Sequence, residues 1–374
     1  MTDSPEVVIV GGGVIGAAVA YFLAKRGIPC SLLDKGRIGG ESSNAASGIL
    51  SSSPGESQYS RLAQRSLSLF HELTPVIREE SGIDIEFVEC GDLTLAMNEN
   101  DAIALRGLAG QLSAMGDDVR WVGSDDLREM EPLLNPAIPG GMFASASCRV
   151  NNQRLASALV LAAQRYGAEV RQGVEVTGIA VENGRVSGVM QRQGFTGANI
   201  VVLAAGAWTG AMDRWLYDDQ APSDTRVPMV KPVKGVNLNV QPAQGSVGRM
   251  IHGSWGILVP RNDGSMIVGA TVEEAGFDTR VTAGDVHSIL GVGNALMPSL
   301  RDAEINWSIA GLRPGSGDDL PVIGRMPGYD NVLVASGHYR NGILLSLATG
   351  EVVADLVEGS NGQLLSDFDP ERFF

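Results

Sequence analysis

The sequence predicts an α/β fold, in which helices pack on a parallel sheet and an antiparallel sheet forms a second layer. Three patterns support this prediction. Residues 6–34 read as strand, glycine-rich turn, helix and strand, which is the order of a parallel βαβ unit. Polar and apolar residues alternate between about 226 and 275, as they do in antiparallel strands with one solvated face. Residues 331–356 return to a strand followed by a helix.

The opening unit has the clearest pattern. The run EVVIV at residues 6–10 predicts a strand that is buried on both faces. Apolar residues recur at helical spacing from Val14 to Arg26, and Gly27 indicates the end of that helix. Residues 28–34 then predict a second strand.

Downstream elements extend this architecture. Asn183 and Gly184 form a turn signal between two alternating runs, which predicts a β-hairpin. The run NIVVLAAGAW at 199–208 predicts another buried strand. Further helices are expected at residues 58–73, 101–114 and 154–167.

These elements predict two discontinuous domains. A Rossmann-like cofactor-binding domain is expected at residues 1–85, 145–222 and 300–374. A substrate-binding domain, an α+β layer on the antiparallel sheet, is expected at residues 86–144 and 223–299. Because the first domain draws on the start, middle and end of the chain, it suits a cofactor that is buried along its whole length.

Composition narrows the choice of partners. The 374 residues carry a formal net charge of −15, which argues against nucleic acid or an anionic membrane, since both select clustered lysine and arginine. Three widely spaced cysteines indicate neither a disulfide framework nor a zinc site. The first residues lack a basic, cleavable signal. We therefore expect a cytoplasmic protein without a bound metal, and a homo-oligomer is compatible with the sequence.

Gly11, Gly13 and Gly16 form a GxGxxG motif between the first strand and the first helix. The first glycine permits a tight turn, the second lets backbone approach a pyrophosphate, and the third allows the helix to pack closely on the strand. The helix N-terminus then donates N–H groups to the phosphates. Asp34 ends the second strand, where a carboxylate can accept a ribose hydroxyl. The unit predicts dinucleotide binding without separating NAD from FAD.

Three further features favour FAD. The segment GESSNAASG at 40–48 supplies hydroxyls and small side chains soon after Asp34. The strand at 201–208 ends in small residues, so that a second backbone segment can lie against the cofactor. Near the C-terminus, GHYRNGILL at 337–345 contains another glycine-bounded turn that opens a helix.

Four motifs resemble those of the glycine oxidase/D-amino-acid oxidase family of flavoproteins, particularly the glycine oxidases of the thiamine pathway. They are VVIVGGGVIGAAVAYFLAKRG, GGESSNAASGIL, GLRPGSGDDLPVIGR and GHYRNGILLSLATGEVVADL. The resemblance covers nearly the whole chain. It implies an FAD-dependent oxidase of small amino acids, in which a hydride passes from the substrate Cα to flavin N5. The imine then hydrolyses to an oxo acid, and O2 is reduced to hydrogen peroxide.

The resemblance also implies roles for individual residues. It implies no essential acid or base, because the protein mainly orients the substrate and keeps the pocket dry. Arg313, in GLRPG, is expected to bind the substrate carboxylate with both arms of its guanidinium; a structural ion pair is the alternative. Arg340 either shapes the substrate site or holds its loop. His338 is expected to hydrogen-bond near the flavin, and Val174 to bind adenine through backbone groups.

The residues expected to bind the cofactor are glycines, small hydroxylic residues and turn residues from all four motifs. Trp208 belongs to this set by proximity alone, since a core role explains it equally well. The full set is Gly11, Gly13, Val14, Ile15, Gly16, Asp34, Lys35, Ser42, Ser43, Ala46, Ser47, Gly48, Val174, Ala205, Gly206, Trp208, Arg313, His338, Arg340, Asn341, Gly342, Ile343 and Leu344.

Departures from the family pattern concern the substrate. Ile257 stands where the glycine oxidases have an aromatic hydroxyl, and Trp255 where they have an imidazole. Ile49 and Val272 replace methionines of the pocket. These residues predict a more apolar substrate site, in which an unsubstituted amine would lack hydrogen-bond partners and an N-methyl group would not need them. Sarcosine or another N-alkyl or cyclic amino acid therefore rivals glycine.

Monomeric sarcosine oxidase is a poorer match than glycine oxidase. Its oxygen-activating lysine would fall near Ile267, and its flavin-linking cysteine has no counterpart near Arg313. We therefore expect FAD to be bound noncovalently. Lys231 and Lys234 are expected to be solvated, with support of the pocket mouth as the alternative. Two other functions stay open at this point: a dehydrogenase with an acceptor other than oxygen, and a non-catalytic flavin-binding subunit.

Overall fold

The computed structural model describes residues 6–51, 55–182, 185–216, 229–254, 256–360 and 366–374. Within these ranges the strands are β1 (Val7–Val10), β2 (Cys30–Asp34), β3 (Ile49–Leu50), β4 (Val88–Glu89), β5 (Asp92–Ala96), β6 (Val119–Gly123), β7 (Gly140–Ala144), β8 (Cys148–Arg149), β9 (Glu169–Gln172), β10 (Val176–Glu182), β11 (Arg185–Gln191), β12 (Gly194–Gly197), β13 (Ile200–Leu203), β14 (Val230–Gln241), β15 (Met250–His252), β16 (Ile257–Pro260), β17 (Met266–Gly269), β18 (Glu304–Ser316), β19 (Val322–Arg325) and β20 (Val332–Ser336).

The α-helices of the described ranges are α1 (Val14–Lys25), α2 (Ser42–Ala45), α3 (Gln58–Ser81), α4 (Glu99–Ala114), α5 (Ser124–Met130), α6 (Asn152–Arg165), α7 (Ala283–Leu296) and α8 (Gly342–Val357). Short 3-10 helices lie at Gly206–Trp215, Pro298–Asp302, Ser366–Phe368 and Pro370–Phe373. None of the described helices is both long and apolar enough to cross a membrane.

A six-stranded sheet in the order β19-β20-β13-β1-β2-β9 forms the first layer. Its strands are parallel except for the edge strand β19. All four residues of β1 are buried, as the unbroken apolar run predicts for a central strand. Helix α1 packs against both α6 and α8 beside this sheet. An added Cβ at Gly350 would lie 2.7 Å from the Ala18 carbonyl carbon, so this glycine lets α8 approach α1 closely.

An eight-stranded sheet in the order β18-β14-β17-β16-β15-β5-β7-β6 forms the second layer. The alternation at about 226–275 correctly predicts the antiparallel hairpins of β14 to β17, although β15 and β5 pair in parallel. Strand β18 pairs along its length with β14 in this sheet. The division into two domains stays a prediction.

A smaller difference concerns the end of one helix. The predicted helix at 58–73 is too short, since α3 continues to Ser81 with Pro75 inside it. Proline commonly ends a helical pattern, but here the hydroxyl of Thr74 bonds to the Phe70 carbonyl and the helix continues. The predicted hairpin forms from β10 and β11, while Asn183 and Gly184 lie outside the described residues.

Candidate cofactor and substrate site

A cavity of about 1410 Å³ lies between the two sheets. On one side it meets the carboxyl ends of β1, β2, β13 and β20, and on the other it meets β14, β17 and β18. Ligands of open α/β sheets bind at the carboxyl ends of the strands. Pockets for small molecules usually enclose roughly 300–1,000 Å³, so this cavity has room for a long cofactor together with a small substrate.

The GxGxxG turn forms the floor of the cavity at the end of β1. Gly11 has a φ of +111°, and an added Cβ there would lie 2.4 Å from the carbonyl oxygen of Ala204. An added Cβ at Gly16 would lie 1.9 Å from the Gly11 carbonyl oxygen, so α1 packs directly on the turn. Gly11 and Gly13 line the cavity, whereas Gly16 does not. Gly11 and Gly16 thus have the steric surroundings that a dinucleotide-binding turn requires, and Gly13 lines the cavity where a ligand can approach.

Asp34 and its neighbours shape the region next to this turn. The Asp34 carboxylate accepts hydrogen bonds from the N–H groups of Gly12 and Gly36, each at 2.6 Å. It still lines the cavity, so its remaining lone pairs face a ligand. The Lys35 ammonium lies 3.9 Å from the centre of the Trp208 ring. Trp208 is therefore part of the cavity wall, in contact with a second cavity-lining residue.

The remaining predicted cofactor residues come from five chain segments. The Val174 N–H donates to the Asp34 carbonyl at 2.8 Å, so within the described residues only the Val174 carbonyl is left for a ligand. The Ser43 hydroxyl accepts from the Val14 N–H at 2.9 Å, and the Ser42 hydroxyl donates to the Leu312 carbonyl. The others that line the cavity are Ile15, Ala46, Ser47, Gly48, Ala205, Gly206, Asn341, Gly342 and Ile343.

Helix α8 begins at the cavity. Its N-cap residue, Asn341, makes no side-chain capping hydrogen bond. The first bond into the helix runs from the Leu345 N–H to the Asn341 carbonyl at 2.9 Å. The N–H groups of the first turn are thus free of intrahelical partners, and with the helix dipole they favour negative charge in the cavity. Leu344 is buried in the core on this turn and does not line the cavity.

His338 lies fully buried beside this helix and lines the cavity. Its Nε2 lies 3.0 Å from the Thr349 hydroxyl, and its Nδ1 has no partner among the described residues. Burial lowers the pKa of His338 from 6.5 to about 3, so the ring is neutral at physiological pH. A neutral imidazole can donate or accept a hydrogen bond, but it adds no positive charge to the site.

This pKa predicts a contribution to acid sensitivity. The unfolded chain binds a proton at His338 below pH 6.5, whereas the folded protein does not until pH approaches 3. His338 therefore does not reduce the free energy of unfolding above pH 6.5, but it lowers that free energy progressively as the pH falls from 6.5 towards 3. The His338→Asn variant lacks this titration, so its free energy of unfolding should fall less than that of the wild type between about pH 7 and pH 4.5. Urea unfolding of the cofactor-free proteins measures this; equal losses in both would refute it.

Arg313 lies on the cavity wall formed by the second sheet. Its Nη1 donates to the carbonyl oxygens of Lys234 and Thr271 at 3.2 and 3.1 Å. The guanidinium lies against Gly235, where an added Cβ would be 2.1 Å from Nη1. Burial, followed by the nearby charge of Arg340, lowers the pKa of Arg313. No carboxylate of the described residues lies within salt-bridge distance of Arg313, so its buried charge has no acidic partner in the described part of the chain.

Arg340 is exposed, in contrast to Arg313. Its Nη2 donates to the Tyr339 hydroxyl at 3.3 Å, and its guanidinium lies 5.0 Å from the centre of that ring. Arg340 therefore lies at the opening of the cavity, where it is anchored to its own loop.

The substrate end of the cavity contains three of the four predicted apolar residues. Ile49 and Ile257 line it and pack against a buried cluster formed by Met250, Val259 and Ile267. Val272 also lines it and is 51% exposed, which places this residue at the opening. Trp255 lies outside the described residues.

His252, near this end, had no signal in the sequence. It pairs with Ile257 across β15 and β16 and lines the cavity, so an imidazole is present after all.

The expectation that Lys234 is solvated is wrong. This residue is 3% exposed, with its ammonium 3.2 Å from Glu273 and 3.3 Å from Asp285. Strand alternation shows which residues share a face of a sheet. It does not show which buried charge will pair with an opposite charge from a distant helix, as the Lys234 ammonium does with the Asp285 carboxylate of α7.

These residues fit FAD. The cavity extends from the Rossmann-like turn to Arg313. Its wall is formed by the glycine turn, by the carboxylate at the end of β2 and by the first turn of α8, whose N–H groups have no intrahelical partner. Such a wall suits a molecule with a pyrophosphate near one end and an electron-accepting ring at the other. No other cofactor class is required by the donors and acceptors of the described residues.

Comparisons with known proteins agree with this geometry. The family model described as "DAO: FAD dependent oxidoreductase" matches residues 6–356. Glycine oxidase of Geobacillus kaustophilus (strain HTA426) is 37% identical over 371 residues, which are 96% of this chain and 94% of that protein. Glycine oxidase of Bacillus licheniformis is 33% identical over 360 residues, covering 95% and 93%. The crystal structure of glycine oxidase from Geobacillus kaustophilus superposes with a TM-score of 0.91 at 34% identity, covering 98% of both chains. The chain therefore belongs to the DAO family of FAD-dependent oxidoreductases.

Proposed function

We propose that this protein is an FAD-dependent oxidase of small amino acids, with sarcosine and other N-alkyl or cyclic amino acids preferred to glycine. The observation that carries the proposal is Arg313: a guanidinium without a carboxylate partner among the described residues, on the wall opposite the dinucleotide turn. The net reaction converts the amino acid, O2 and water into an oxo acid, an amine or ammonia, and hydrogen peroxide.

Arg313 orients the substrate. Its Nη1 is bonded to two backbone carbonyls, which fixes the plane of the guanidinium and leaves its other N–H groups for a carboxylate. Because Gly235 has no side chain, the guanidinium lies flat against β14 and leaves room in front of it. Holding the carboxylate in one orientation lowers the barrier by fixing where the Cα–H bond points.

Bound FAD would supply the acceptor for the hydride that leaves the substrate Cα. The protein's own contribution at that end is electrostatic. The first turn of α8 presents unbonded N–H groups to the cavity, and these stabilise negative charge that develops there. His338 is neutral and buried, so it contributes a hydrogen bond and helps to exclude water.

The apolar residues support the proposed substrate preference. Ile49 and Ile257 present hydrocarbon, and Ile267 extends the same cluster behind them. A primary ammonium loses hydrogen bonds to water on entering such a pocket, whereas an N-methyl group fills it without that loss. The imidazole of His252 offers one polar contact on this wall, which is compatible with a secondary amine.

A peroxide-coupled assay of the flavin-loaded protein with glycine, sarcosine, proline and D-amino acids tests the proposal. We expect peroxide with small amino acids and the largest kcat/KM for sarcosine or proline. Reduction of an artificial acceptor without peroxide would instead indicate a dehydrogenase. A protein that binds flavin but oxidises none of these substrates would refute the proposed function.

Replacing Ile257 tests the basis of substrate choice. Ile257→Tyr adds a hydroxyl to the wall, and one hydrogen bond contributes about 1 kcal/mol, so the kcat/KM ratio of glycine to sarcosine should rise roughly fivefold. The matched control is Ile257→Phe, which adds the same ring without a hydroxyl. If both variants change the ratio equally, the volume of the ring decides substrate choice and the hydrogen-bonding argument is wrong.

A further inference from the structure

The segment 43–48, which we call the cofactor wall, lines the cavity with all of its residues except Asn44. Its carbonyl groups accept hydrogen bonds from side chains of other chain segments. Asn152 Nδ2 donates to the carbonyls of Ser43 and Asn44 at 2.7 and 3.1 Å. Asn237 Nδ2 donates to the carbonyl of Ala45 at 2.7 Å. Two side chains thus hold the first half of the wall.

The second half of the wall is held by Arg261, at the end of β16. Its Nη2 donates to the Ser47 carbonyl at 3.2 Å and to Asn152 Oδ1 at 3.1 Å, and its Nη1 donates to the Val150 carbonyl at 2.9 Å. The Val150 N–H in turn donates to the Gly48 carbonyl at 2.8 Å. One guanidinium therefore links the substrate-side sheet, the wall and helix α6.

The wall follows the guanidinium closely at Gly48. This residue has a φ of +74°, and an added Cβ would lie 2.1 Å from the Val150 carbonyl oxygen and 3.2 Å from Arg261 Nη1. The N–H groups of Ser47 and Gly48 have no acceptor among the described residues. Because Ser47 and Gly48 line the cavity, these N–H groups are available to a ligand in it.

The charge of Arg261 also has no direct counter-ion. Among the described residues no carboxylate lies within salt-bridge distance of Arg261 or of the buried Arg149 next to it. Burial, and then the neighbouring Arg149, lowers the pKa of Arg261 to about 10. Burying a guanidinium without a counter-ion destabilises the folded state. The position of Arg261 therefore indicates a role at the cavity.

We propose that Arg261, together with Asn152, is a positioning residue: it holds the cofactor wall so that the N–H groups of Ser47 and Gly48 donate to FAD. The inference rests on the cofactor stated for the proposed function. It differs from the roles of Arg313 and His338, because Arg261 does not line the cavity and acts through the backbone of the wall.

Titration of the flavin-free protein with FAD, followed by quenching of flavin fluorescence, tests this inference. Arg261→Lys keeps the charge but cannot bond to three acceptors with a planar fork. We expect its Kd for FAD to rise about tenfold or more, as for loss of hydrogen bonds from a charged group. The visible absorption bands of the bound flavin should shift as well. Asn152→Ala removes the second support and should weaken FAD binding in the same direction.

Arg325→Lys is the matched control, because Arg325 also donates to two backbone carbonyls, those of Asp330 and Leu356, and does not line the cavity. We expect its Kd to equal that of the wild type. Circular dichroism identifies a variant that does not fold, in which case Asn152→Ala decides the question. An unchanged Kd in the folded variants would overturn the inference. Failure of the wild type itself to bind FAD would instead overturn the proposed function.

Discussion

Arg313→Ala should lower kcat/KM for amino-acid substrates by roughly a thousandfold, mostly through KM. Leaving a buried charge without its partner costs about 4 kcal/mol, and 1.4 kcal/mol corresponds to a factor of ten. In the variant, the substrate carboxylate enters the cavity without the guanidinium that the Lys234 and Thr271 carbonyls hold in place, and Arg340 is exposed at the opening and anchored to its own loop. Steady-state kinetics with sarcosine measures the effect.

Two comparisons isolate the role of the carboxylate contact. Arg313→Lys keeps the charge and loses the planar fork, so its kcat/KM should lie between those of the wild type and Arg313→Ala. Sarcosine methyl ester carries no carboxylate, and Arg313→Ala should treat acid and ester nearly alike. If the variant still prefers the acid as strongly as the wild type does, Arg313 is not the anchor.

Gly11→Ala should abolish FAD binding and destabilise the protein by about 3 kcal/mol or more. The new methyl group would lie 2.4 Å from the Ala204 carbonyl oxygen, at a φ of +111° that L-residues rarely adopt. Overpacking costs typically 1–3 kcal/mol, and the strained backbone adds roughly 1–2 kcal/mol. FAD titration and urea unfolding measure the two effects.

Gly27→Ala separates steric contact from backbone strain. Gly27 has a φ of +77°, and an added Cβ would meet nothing within 4 Å. This control should show the backbone cost alone and bind FAD as the wild type does. Equal effects at both positions would mean that the turn at Gly11 is sensitive only through its dihedral angle, and not because the backbone of the segment after β13 lies against it.

The cofactor half of the site could be predicted from sequence because it depends on local rules. The glycines of the first turn are required by φ and by close backbone contacts, and such requirements leave a fixed spacing. The continuous apolar run of β1 and the turn that opens α8 are equally local signals. Within this half, Gly16 packs on the glycine turn and Leu344 lies in the core, and neither lines the cavity.

The substrate half was harder to predict because long-range pairing determines it. The partners of Arg313 on β14 and after β17 are residues Lys234 and Thr271, which only the sheet register brings together. His252 reaches the wall through its pairing with β16, and no local pattern distinguishes it. Lys234 is buried because Asp285, in the capping box of α7, neutralises it across the sheet.

Anaerobic mixing of the flavin-loaded protein with sarcosine, followed by addition of O2, tests the central claim most directly. We predict that the flavin absorbance near 450 nm disappears on mixing and returns with oxygen, with about one hydrogen peroxide released per flavin, as expected when the flavin carries the substrate's hydride. An absorbance that is unchanged by sarcosine, glycine or proline would contradict the account.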